Sequence, residues 1–157
     1  MLPSPRDQHE EKAIEDIKRY GLHIINVLEE NEMPNFSYSV GLWHTYQHPE
    51  VLIFGLKREL SMWILNEIGR RIKEEKEDFA AGQYYEGFLE GFECTFVEVP
   101  KDKYHDHVGW DLWLYGGSDF HLMQFVWPTT EGHFPWDKEA SDWFRGWQPV
   151  LGGRETY

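Results

Sequence analysis

Residues 36–55 constrain the fold of this chain more than any other stretch: FSYSVGL, then the interval WHTYQHPE, then VLIFG. In the first run Phe36, Tyr38, Val40 and Leu42 alternate with Ser37, Ser39 and Gly41, the period of a strand buried on one face. Its other face is made of small residues, where a second group can approach closely. The run VLIFG is apolar without a break, as in a central strand covered on both faces. Two strands so closely linked favour an antiparallel or mixed sheet.

The remaining elements follow from periodicity and punctuation. Ser4 as N-cap, Pro5 in the first turn and Asp7 at capping-box spacing predict a helix over residues 5–20, with Ala13, Ile14, Ile17 and Tyr20 as its stripe and Gly21 as its stop. Residues 22–28 (LHIINVL) are short and β-branched and read as a strand. Residues 58–76 read as a helix with Leu60, Trp63, Ile64, Ile68 and Ile72 inward and Arg70, Arg71, Lys73, Glu74 and Glu75 toward water. Residues 78–91 read as a loop and 92–99 as a strand stopped by Pro100. A short helix is expected over 102–115, a last strand over 121–127 and a helical turn within 138–147. The fold expected is α+β: a five-stranded, mainly antiparallel or mixed sheet with two to three helices packed mostly on one side, in a single domain spanning residues 1–157.

Composition narrows the function classes. A chain of 157 residues buries roughly 70% of its unfolded surface and needs no metal or disulfide to fold. Its single cysteine, Cys94, lies in an alternating strand beside Phe92 and Phe96 and reads as core packing. With no apolar run of membrane-spanning length and no signal-peptide pattern, a cytoplasmic protein is expected. The net charge of −13 argues against nucleic acid and anionic membrane and favours a basic protein partner. Eight Trp, eight Tyr and ten Phe are more than a binding surface alone would use, so most must be core.

Motifs of chemistry are sparse. No GxSxG, phosphate loop, dinucleotide fingerprint, HExxH or paired CxxC occurs, and no cofactor or metal is assigned. His44 and His48 would share one face if their loop formed a helical turn, and a metal there would need a third ligand from Glu50, His105, His107, His121 or His133. The segment 127–136 (WPTTEGHFPW) is a proline-bracketed aromatic loop. Glu131, His133, Phe134 and Trp136 there form either a recognition surface or a lid folded back on the sheet.

The string FSYSVGLWHTYQHPEVLIFGL, followed by a helix, GFECTF, LWLYGG and QFVWPTTEGHFPWD, resembles the bacterial domain-of-unknown-function family numbered 4262. The likeness runs from the first helix to about Gly152, and it implies a small standalone bacterial domain with no assigned catalytic residues. Two function classes stand side by side. One is an acidic, non-enzymatic binding protein of the immunity type that neutralises a basic protein partner or toxin. The other is an enzyme or a small-ligand or metal binder using a histidine-containing aromatic pocket. A homodimer through the aromatic loop is compatible with either.

Overall fold

The computed structural model describes residues 2–152. Its centre is one six-stranded sheet: β1 (His23–Val27), β2 (Phe36–Val40), β3 (Glu50–Phe54), β4 (Tyr84–Leu89), β5 (Phe92–Glu98) and β6 (Leu122–Val126). The spatial order is β1-β2-β3-β6-β5-β4. Every neighbouring pair is antiparallel except β3 with β6, which run parallel with Glu50 opposite Leu122. Two three-stranded meanders thus meet along a parallel seam.

The sixth strand corrects the expected count. β4 lies in the segment read as a loop, because it is an edge strand with Tyr84, Glu86 and Gly87 turned to solvent. Its pairing with β5 also shifts register between Tyr85 and Leu89, so no clean alternation is legible. It joins β5 through the two-residue turn Glu90-Gly91.

Helices also outnumber the expectation, and they cover both faces. α1 (Gln8–Tyr20) begins later than expected: Asp7 is itself the N-cap, accepting from Glu10 N at 2.8 Å, while Glu10 accepts from Arg6 N at 2.8 Å. α2 (Leu42–Tyr46) fills the interval between β2 and β3, and α3 (Arg58–Glu75) follows β3. The helix expected over 102–115 is split into a 3-10 turn (Lys101–Lys103), α4 (Tyr104–His107) and α5 (Gly109–Tyr115). α6 (Asp142–Trp147) closes the order, with Ser141 as N-cap accepting from Phe144 N at 3.1 Å.

Alternation along β3 explains why both faces need cover. Val51 and Ile53 pack with Ile64, Leu65 and Ile68 of α3, together with Cys94, Phe96 and Phe125. Leu52 and Phe54 pack on the opposite face with Ile14 and Ile17 of α1 and with Tyr104, Val108 and Leu114. Each such side chain, fully buried, contributes about 1.5–3 kcal/mol of hydrophobic stabilisation. Under α3 the aromatic rings interlock: Phe79 meets Phe96 at 5.3 Å, and Phe125 meets Phe88 at 5.3 Å and Phe96 at 5.7 Å. Trp63, expected inward, is half exposed, because the buried stripe of α3 runs through Ser61, Ile64, Leu65, Ile68 and Ile72. Arg71, expected toward water, lays its guanidinium 4.2 Å from the Phe88 ring. Among the described residues, no helix is long and apolar enough to cross a membrane.

Candidate functional site

Gly41 ends β2 with φ of +115°, a left-handed conformation that side chains resist, and a Cβ there would lie 2.8 Å from Ile17 Cγ1. The turn it permits aims three successive amides at one point. Glu50, at the start of β3, places its carboxylate there: Oε2 accepts from Gly41 N at 2.9 Å and Trp43 N at 3.3 Å, and Oε1 accepts from Leu42 N at 3.1 Å. Ser39 Oγ donates to Oε1 at 2.7 Å while accepting from Val51 N at 2.9 Å. The Tyr115 hydroxyl, from the end of α5, donates a short hydrogen bond to Oε2 and accepts from His44 N at 3.0 Å. Five donors therefore hold a carboxylate with no exposed surface. Burial raises the Glu50 pKa, and the bonds from Tyr115, Ser39, Gly41 and Trp43 oppose that rise by favouring the ionised form.

A second carboxylate shares this interior. Asp111 of α5 is also fully buried, and neither of its oxygens has a hydrogen-bond partner. Its pKa is pushed well above the ordinary aspartate value, first by burial and then by the charge of Glu50. The Tyr115 hydroxyl is pushed up by burial and by Glu50, and the Tyr38 hydroxyl by burial. Tyr38 accepts from Trp110 N at 3.1 Å, so α5 is tied to the sheet near both ends. The two carboxylates are unequally equipped to carry a charge: five donors converge on Glu50, and the protein offers none to Asp111. Neither carboxylate has exposed surface, and the bonds to Glu50 organise the turn between β2 and α2. The sequence reading missed Asp111 and Tyr115. The signal was present: Asp111 lies three residues from both Val108 and Leu114, on the apolar stripe of a short helix.

The histidines do not gather. The helical turn that would align His44 with His48 ends at Tyr46, and Gln47 is left-handed with φ of 54°, which redirects the chain. His44 is exposed on α2. His48 is buried, its Nδ1 lies 2.8 Å from Pro49 O, and its ring meets Phe79 edge-on at 5.9 Å. Burial lowers its pKa, so the ring is neutral at pH 7. His121 is exposed with its ring 5.0 Å from that of Trp43, and His105 is exposed. His107 packs edge-on against Phe36 and Phe54, each at 5.7 Å. Among the described residues, no three His, Cys, Asp or Glu side chains are placed to hold a metal ion.

The aromatic loop folds back on the sheet. Trp136 is buried against Val97 and Val126, and Phe134 stacks on it at 5.2 Å with the planes 5° apart. Glu131 is exposed and accepts from Thr130 Oγ1 at 2.6 Å, while His133 is half buried.

An open groove lies instead at the β1–β2 hairpin. Its tip is closed by two bonds, Met33 N to Glu30 O at 2.8 Å and Glu30 N to Met33 O at 3.2 Å. Asn31 and Glu32 between them both adopt positive φ, the backbone of a tight hairpin turn. The groove measures about 570 Å³; Val27, Leu28, Met33, Phe36 and Phe54 form its apolar lining, and Glu30, Asp106 and His107 its polar edge. Leu28 is 79% exposed and Met33 60%, high values for large apolar side chains in one patch.

No curated protein and no solved structure matches the chain. A family model does, and it spans most of the elements that build both the buried centre and the hairpin groove. Over residues 16–141 the chain matches the domain of unknown function DUF4262, and it belongs to that family.

Proposed function

We propose that the protein is a non-enzymatic acidic binder that neutralises a basic protein partner in the manner of an immunity protein, and that the β1–β2 groove is where the partner seats. The observation that carries this reading is the pairing of exposed Leu28 and Met33 with the acidic edge of Glu30 and Asp106. An apolar centre with a charged rim is the anatomy of a protein interface. The net charge of −13 steers a basic partner toward it and repels an acidic one. The alternative, a ligand pocket that uses His44 and His48 together, would need both rings on one wall, whereas His44 is exposed on α2 and His48 is buried against Phe79.

Fluorescence anisotropy with two labelled peptides of equal length tests the reading, one of alternating Lys and Leu and one of alternating Glu and Leu. The basic peptide binds at low salt, weakens as salt rises, and loses at least tenfold in affinity to the Leu28→Asp and Met33→Asp proteins. Equal binding of both peptides, or no change in either variant, rules the groove out as the docking site.

A further inference from the structure

The Glu50–Asp111 pair has a consequence beyond any partner. Asp111 is a side chain without exposed surface whose two oxygens find no donor. The protein itself offers an ionised carboxylate there nothing to offset its desolvation. The charge of Glu50 on β3 acts on Asp111, and Asp111 in turn acts on the hydroxyls of Tyr38 on β2, Tyr104 on α4 and Tyr115 on its own helix. Tyr115 donates its hydroxyl to Glu50 and Tyr104 donates to Phe120 O at 3.0 Å, while Tyr38 accepts from Trp110 N, and none of the three bonds Asp111. The helix bearing Asp111 is seven residues long, and Gly116 and Gly117, which follow it, both have positive φ.

We propose that Glu50 and Asp111 form a single-proton site in which Glu50 carries the charge and Asp111 the proton, and that losing this proton as pH rises unlatches α5 from β3 and the α2 turn. Ionisation of Asp111 would set a second negative charge in the buried interior that holds Glu50. Water reaches the pair by displacing the short helix, whose polar ties to its neighbours include the Tyr115–Glu50, His44–Tyr115 and Trp110–Tyr38 bonds. The sign follows from linkage. An acid whose folded pKa is raised stabilises the fold fully below its unfolded pKa of about 3.9, and that contribution is lost as pH climbs toward the folded value. Across that window the folding constant falls up to tenfold per pH unit on account of this one proton.

Isotope-edited infrared spectroscopy of the whole protein decides which carboxyl holds the proton. At neutral pH the carbonyl stretch of a neutral carboxylic acid is present, shifts on ¹³C labelling of aspartate and not of glutamate, and disappears in Asp111→Asn. Amide exchange at Leu112, Trp113 and Leu114 then rises with pH more steeply than base catalysis alone requires, and Asp111→Asn removes the excess. A band that follows the glutamate label overturns the assignment of the proton. An absent band, together with stability that depends on potassium or ammonium concentration, replaces the proton with a bound cation. Exchange in α5 that tracks base catalysis alone overturns the latch.

Discussion

Removing the Glu50 carboxylate is the most severe single test of how this fold is held. In Glu50→Ala the amides of Gly41, Leu42 and Trp43 lose their acceptor, as do the hydroxyls of Ser39 and Tyr115. The hydroxyls can rotate, but the amides are fixed by the Gly41 turn. A buried donor left unpaired costs about 1–3 kcal/mol, so three amides cost about 3–9 kcal/mol before relaxation. Removing a buried charge, and its repulsion on Asp111, offsets part of this, leaving a net loss of about 3–5 kcal/mol against a total stability of about 5–15 kcal/mol. For a chain of this length that is a fall in Tm of roughly 6–20 °C. Glu50→Gln loses less, since one oxygen is kept, yet its amide nitrogen must face two or three donors whichever way it points. Urea unfolding followed by tryptophan fluorescence measures both variants. A loss below about 1 kcal/mol in Glu50→Ala would refute the reasoning, because it would mean that water already serves these amides.

Two further outcomes follow from other sites. Cys94 is fully buried and its thiol is pushed up to about 12, so the native protein resists thiol reagents at pH 8 and reacts stoichiometrically once unfolded in guanidinium. Glu67 of α3 bonds Arg70 at 2.8 Å and Arg71 at 2.9 Å, and Arg70 first, then Arg71, draw its pKa down to about 2. A depressed folded pKa gives stability that is present above the unfolded value near 4.3 and lost as pH falls toward about 2. Because Arg70 is partly exposed, the contribution is at most about 1 kcal/mol, and Glu67→Gln flattens the acid limb of the stability profile by that amount.

What could be read from the chain alone was local. Alternation in FSYSVGL and the unbroken VLIFG placed β2 and β3, helical periodicity placed α1 and α3, and the flanks of Cys94 marked it as core. These are consequences of a period and a covered face, which neighbouring residues carry by themselves. The edge strand β4 escaped because Gly87 and its exposed partners erase the alternation, leaving its pairing to a strand already formed. The histidine pair failed for a different reason: Gln47 turns left-handed, and a single dihedral sends His48 inward. The pairing of Glu50 with Asp111 joins positions 61 residues apart, on β3 and α5. No local pattern encodes it, because it exists only once α5 folds over the sheet and excludes water from both carboxylates. Sequence determined which segments must be buried; tertiary packing decided which charges were enclosed with them, since desolvation belongs to the assembled interior and to no single segment of the chain.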